Sequence, residues 1–395
     1  MTKEKTNWIY LILLSVVIFC GERFFYFVEM ENTRDVDICI FFILFLLTIS
    51  CNRIRNHKKF EFKYYIAILL VLTIITSFIT HYAYGQTIIN IINAIRYMAI
   101  YLLYFAVASN LKRQRDVRDT ENILLIMGFV FSILAIIQFK YGESKEILPG
   151  MHLAWRLDGI RFFSGFTVVI PSFFIALARN FQNEEIHKRI LYIIINGIEF
   201  FYIINVTKTR SLLAALMIAT VVLFFFQKKF KHVFKISIFI LVGGIVFLLF
   251  GSSLSSIVEL MLNDTTGTGD SRIGSIQFVL ENIKKSPILG MGIYSANISV
   301  VPREVHVDIG IFGFYFEFGI IGLIWGTLFS FKIFRYICYL YKNNKERSYV
   351  YIGYFMCQLA MVTFACMFNY KEMIIYCVIL LASLEYEVSA HKKGR

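Results

Sequence analysis

The stretch VPREVHVDIGIFGFYFEFGIIGLIWG, residues 301–326, changes character within two residues of His306. Before it the chain is polar and charged. After it runs an apolar segment long enough to cross a bilayer, with Asp308 at its mouth and Glu317 three turns deeper. A histidine at such a boundary sits where water meets lipid, so the rest of the chain decides what it faces.

Working outward, 58% of the 395 residues are hydrophobic and the mean hydropathy is +0.66. A soluble domain is typically about 45–50% apolar, so this excess points to lipid. Apolar runs recur at 8–28, 38–51, 64–80, 87–109, 122–139, 162–178, 190–206, 211–226, 236–250, 308–330, 349–368 and 373–389. The expected fold class is an all-α polytopic membrane protein of about twelve transmembrane helices. One transmembrane domain, 1–395, is expected, with a large outer loop, 251–307, between helices 9 and 10. MTKEKTNWIYLILLSVVIFC reads as a retained first helix, because it has no short apolar core followed by a small-residue cleavage site.

The net charge of +13 is explained by its distribution. Most Lys and Arg residues fall in alternate loops, such as NRIRNHKKFEFK (52–63), NLKRQRDVRDTE (110–121) and QKKFKHVFK (227–235). That alternation is the positive-inside bias of a multi-pass protein. It predicts both termini in the cytoplasm and gives no reason to invoke nucleic acid. The seven cysteines lie in or beside apolar runs without metal-ligand spacing, and they read as small apolar fillers. His57, His187, His232 and His391 lie among basic loop residues and read as solvated, while His81 and His152 read as structural.

The long loop has internal order. After NDTTGTGDSRIG, with Asp270 or Ser271 as a helix cap, RIGSIQFVLENIKK puts Ile273, Ile276, Leu280 and Ile283 at helical spacing. An amphipathic helix near 271–285 is expected over the outer mouth of the bundle, ended by Pro287 and Gly-Met-Gly at 290–292.

Charged residues inside spans cost at least ~2.5–3.5 kcal/mol, so Arg96 and Glu199 are expected to face the interior. A structural ion pair between them is the favoured reading. Glu317 is expected to face inward too, as a pocket wall or an acid–base partner. On the outer side the charges are few and mostly arginine: Arg156, Arg161, Lys208, Arg210, Arg272 and Arg303. The planar guanidinium fork suits phosphate and pyrophosphate, although any one such arginine also reads as an interface anchor. His306 has the pKa class for proton abstraction near neutrality. No GxxxxGK[ST] stretch is present, so any chemistry outside the cell needs a donor activated elsewhere.

Four stretches together resemble the bacterial O-antigen polymerase and O-antigen ligase superfamily. They are RLDGIRFFSGFTVVIPSFF (156–174), VTKTRSLLAAL (206–216), DSRIGSIQFVLENIKKSPILGMG (270–292) and VHVDIGIFGFYFEFGIIG (305–322). Residues 168–171 lack the Asn-Pro often found after the first of these. The resemblance implies a metal-independent membrane glycosyltransferase with no cofactor, acting on the outer face of the inner membrane. Its partners would be an undecaprenyl-pyrophosphate-linked oligosaccharide, membrane lipid, a chain-length regulator and a flippase. His306, Arg210 and Arg272 would be catalytic; Arg156, Arg161, Lys208, Arg303 and Glu317 would bind substrate. A polymerase is favoured over a ligase that transfers glycan to a lipid A core. A flippase or solute transporter is the alternative of another class.

Overall fold

A computed structural model describes residues 7–22, 34–57, 60–142, 153–156, 159–162, 166–182, 185–227, 268–294, 301, 305 and 309–393. Its helices, in chain order, are α1 (Trp8–Gly21), α2 (Arg34–Asn56), α3 (Lys63–Tyr84), α4 (Ile88–Ile95), α5 (Leu103–Asn110), α6 (Gln114–Tyr141) and α7 (Phe166–Gln182). They continue with α8 (Ile186–Phe201), α9 (Arg210–Phe226), α10 (Thr268–Asn282), α11 (Gly310–Asn343), α12 (Lys345–Met361) and α13 (Lys371–Lys393). A 3₁₀ segment, Arg96–Leu102, joins α4 to α5, and a π-helical turn, Tyr202–Thr207, ends α8. A short antiparallel hairpin, β1 (Leu153–Arg156) and β2 (Gly159–Phe162), precedes α7.

A helix stands at every expected span except 236–250, which lies outside the described residues. Seven segments are both long and apolar enough to cross a bilayer: Val36–Asn56, Lys63–Tyr84, Ile88–Asn110, Gln114–Tyr141, Ile186–Thr207, Gly310–Asn343 and Lys371–Lys392. Trp8–Gly21 and Ser211–Phe226 are apolar but shorter. This is a polytopic helical membrane protein.

Burial separates central helices from peripheral ones. The most apolar window of α13 is 83% buried, whereas that of α2 is 22% buried. Residues Met373–Leu381 are all in the core, packed among α5, α7 and α11. By contrast Phe41, Leu44, Ile49, Ile74 and Phe78 point outward from α2 and α3, where lipid replaces the missing protein neighbours.

Several expected boundaries move, the largest being the end of α11, at Asn343 rather than 330. The first helix stops at Gly21 rather than 28, and α12 stops at Met361 rather than 368. Past Met361 the chain turns, and Val362 carbonyl accepts the Ile311 N–H at 2.8 Å. One orphan donor at the start of α11 is thus met by a neighbouring turn.

The basic loops are less solvated than their composition suggests. At the end of the bundle away from the hairpin, Arg347 donates to both oxygens of Glu121 (2.7 and 3.2 Å) and to Glu387 (2.8 Å). Arg179 donates to Glu121 at 3.2 Å and Gln114 to Glu387 at 2.7 Å. This buried cluster ties α6, α7, α12 and α13 together. His57 is not free in solvent either: it stacks on Phe60 and lies 3.9 Å from the buried Glu385. His391 lies 3.5 Å from the Asn344 amide. His81 is structural, its Nδ1 being 2.7 Å from the Gln86 carbonyl at the end of α3.

Candidate active site

The turn between α8 and α9 is held open by its own backbone. Thr207 hydroxyl donates to the Ile203 carbonyl at 2.9 Å, and the Thr209 N–H donates to Thr207 Oγ1 at 3.3 Å. Between them Lys208 has φ 49°, the only positive φ outside glycine among the described residues. A left-handed residue with a Cβ stores about 1–3 kcal/mol of strain, and such positions collect at functional sites. Lys208 Nζ lies 5.9 Å from the Phe139 ring centroid near the end of α6. Arg210 is the first residue of α9, whose N-cap, Thr209, makes no side-chain capping bond. The N-terminal amides of α9 and its dipole therefore add to the positive character of Lys208 and Arg210.

The hairpin packs against this turn, with β2 touching the π-helical turn and α6. Register pairs Arg156 with Gly159 and Arg161 with Ala154. By the alternation of extended chain, both arginine positions fall on one face of the ribbon.

In the segment 268–294, α10 docks by a different face from the one its periodicity suggested. Ser275, Val279 and Ile283 are buried, four residues apart, while Leu280 is 48% exposed. Val279 therefore takes the place expected for Leu280, and Ile276 is only partly buried. Asp270 and Ser271 lie within the helix instead of capping it. The docked face meets Met291, Tyr294, Val301, Val305, Ile309 and Phe316, a small core separate from the main one. Burial, with Tyr84 alongside, holds the Tyr294 phenol well above the ordinary tyrosine range, so it stays protonated.

The deepest feature is a break in α11 at Gly319, where φ is 60° and ψ −159°. Nine residues into the helix, about 13 Å at 1.5 Å per residue, the ladder stops. Residues 287–292 repair it. Met291 and Gly292 N–H groups donate to the carbonyls of Phe316 (2.6 Å) and Glu317 (3.0 Å). Ile320 and Ile321 N–H groups donate to Pro287 (3.0 Å) and Ile288 (3.1 Å). Two carbonyls before the break and two N–H groups after it thus find partners in protein, as the membrane interior demands. The fit requires glycine. A Cβ on Gly290 would stand 2.5 Å from the Gly319 nitrogen, and one on Gly319 would stand 2.5 Å from the Gly290 nitrogen.

Glu317 sits at this break, 1% exposed, and its carboxylate accepts the Asn369 amide at 2.9 Å. Asn369 belongs to the turn between α12 and α13 and escaped the sequence reading, since one amide between two apolar helices carries no pattern. The clip was equally hidden: its glycines read as a helix stop, and nothing in their spacing named residues 316–321 as the partner.

The expected pair between Arg96 and Glu199 is not made. Arg96 pairs with Asp37 on α2 at 3.1 Å and donates to Asn93 at 3.2 Å. Glu199 is fully buried and accepts a hydrogen bond from Ser172 on α7. The two are separated because the 3₁₀ segment beginning at Arg96 faces α2 and α13, whereas α8 packs on α6 and α7. His306 and Arg303 lie outside the described residues, as do the side chains of Arg156, Arg161, Arg210 and Arg272.

The bundle is polytopic and helical, with a discontinuous helix clipped by residues 287–292 and, elsewhere, a strained basic turn. Residues 197–325, which run from α8 through the break in α11, match the family model described as O-antigen ligase. The match covers 129 of the 395 residues and supports a relation to the O-antigen polymerase and ligase superfamily. No curated protein matched the chain.

Proposed function

We propose that the protein is a polymerase that joins undecaprenyl-pyrophosphate-linked oligosaccharide repeat units on the outer face of a bacterial inner membrane. An acceptor hydroxyl attacks the anomeric carbon of the donor sugar, the bond to the lipid pyrophosphate breaks, and the hydroxyl proton is taken up by His306. Arg210 and Arg272, with Lys208 and the α9 amides, stabilise charge developing on the departing pyrophosphate. Arg156, Arg161 and Arg303 line its approach, and Glu317 orients the acceptor. No metal or cofactor enters this reading. Both termini lie in the cytoplasm, because the basic loops gather at the end of the bundle opposite the hairpin.

The observation that carries this reading is the extent of the family match. It begins eleven residues before Lys208 and ends six residues after Gly319, enclosing both the strained turn and the clipped helix. The same family description favours, as a second reading, a ligase that delivers finished glycan to a lipid A core.

One gel separates them. In a strain lacking the gene, a surface glycan reduced to one repeat unit on its acceptor, restored by the wild type but not by His306→Ala, is the expected outcome. Full-length glycan left on the lipid carrier identifies the ligase. An unchanged ladder removes both and returns the chain to the transporters.

A further inference from the structure

Beyond the break at Gly319, α11 turns one continuous face away from the rest of the protein. Ile320, Ile324, Leu328 and Phe331 are all exposed. The same face continues with Arg335 and Lys342, which are exposed too. Steps of three, four and seven residues keep these side chains on one side of a helix. The apolar part, from Ile320 to Phe331, is about 16 Å long at 1.5 Å per residue, which is one leaflet of a ~30 Å hydrocarbon core. From Gly310 to Phe331 the helix rises about 30 Å, so Arg335 and Lys342 stand past the hydrocarbon, at the level of lipid headgroups.

A third cation reaches this level from α13. Lys392 Nζ lies 5.3 Å from the Tyr336 ring centroid and 5.6 Å from that of Tyr339. Tyr339 follows Arg335 by four residues and precedes Lys342 by three, so it shares their side of α11. Lys332, which also lies over Tyr336, is already neutralised: it donates to the Glu61 carbonyl at 2.8 Å and pairs with the Glu61 carboxylate at 3.4 Å. Arg335, Lys342 and Lys392 make no ion pair among the described residues. Three cations without counter-ions, at the end of an apolar stripe one leaflet long, match a molecule with an anionic head and an acyl tail.

We propose that this face of α11, with Lys392, binds an anionic phospholipid. Its phosphate meets Arg335, Lys342 and Lys392, and an acyl chain lies along Ile320, Ile324, Leu328 and Phe331. Arginine supplies a planar pair of donors to the phosphate oxygens, and the lysines supply charge. A zwitterionic lipid offers the same chain but carries its own ammonium, so charge selects the anionic one. The site is separate from the residues assigned to glycosyl transfer, and it holds whichever side of the membrane this end of the bundle faces.

The test is a titration of purified full-length protein in detergent, read by native mass spectrometry, with dioleoyl phosphatidylglycerol and dioleoyl phosphatidylcholine as probes. Each cation beside an anionic headgroup is worth about fivefold in affinity, so phosphatidylglycerol is expected to bind about a hundredfold more tightly. The triple variant Arg335→Gln, Lys342→Gln, Lys392→Gln is expected to lose that preference while binding phosphatidylcholine as the wild type does. A control with Lys112→Gln, Arg115→Gln and Arg118→Gln removes the same charge from exposed positions at the same end of the bundle. It is expected to keep the wild-type affinity. A phosphatidylglycerol with chains too short to follow the stripe is expected to bind the wild type at least about tenfold more weakly. Equal affinity of the wild type for the two headgroups overturns the site. An equal loss in the control overturns it as well, by reducing the effect to general surface charge. Undiminished binding of the short-chain lipid does so too, because the ligand is then a bare phosphate.

Discussion

Lys208 carries a backbone conformation that glycine adopts freely and lysine does not. Strain of this kind persists only where the surroundings impose it, and here the Thr207 and Thr209 bonds do so. Lys208→Gly is therefore expected to stabilise the solubilised protein by about 1 kcal/mol, as read by thermal unfolding, while lowering turnover of the lipid-linked donor. A variant that gains stability and keeps full turnover would show that the lysine is conformational baggage, without a part in binding. Glu199 lies at the opposite extreme. Its Ser172 bond satisfies one oxygen, and the expected partner Arg96 is engaged with Asp37. It reads as helix glue between α7 and α8, with no place in the proposed chemistry.

At the scale of elements, the interlock of residues 287–292 with the break in α11 is the part most sensitive to a single methyl. Gly290 and Gly319 have φ 81° and 60°, and each would drive a Cβ into the other's backbone nitrogen. Either glycine changed to alanine is expected to cost at least ~3 kcal/mol, combining backbone strain with an overlap that no rotamer relieves. Gly274→Ala is the control, because nothing lies within 4 Å of its added Cβ and the residue is helical. It is expected to be neutral or slightly stabilising. Comparing melting midpoints of the three variants checks this directly, and equal midpoints would dissolve the interlock as a structural element.

Across the whole molecule, the cluster of Glu121, Arg347, Glu387 and Arg179 closes one end of the bundle and leaves the other to carry the irregular backbone. Removing Arg347 leaves two buried carboxylates without their main counter-ion, a change of the kind that costs about 3–5 kcal/mol. Arg347→Met is thus expected to unfold the protein at markedly lower temperature, with a smaller loss when Glu121→Leu and Glu387→Leu accompany it. A loss that does not shrink in the triple variant would place the role of Arg347 outside this cluster.

The apolar runs alone determined that this chain is a helical multi-pass protein, because a span must be about twenty residues long whatever it packs against. The order of the arginine-bearing turn, the outer helix and the Glu-bearing helix was likewise enough to point to the family. Tertiary structure decided the rest, and for one reason throughout: those features depend on partners distant in sequence. The clip of 287–292 into 316–321, the Asn369 bond to Glu317, the separation of Arg96 from Glu199 and the burial of Val279 in place of Leu280 are all choices among neighbours. Periodicity fixes which residues can share a face, but only packing fixes which face is covered and what covers it.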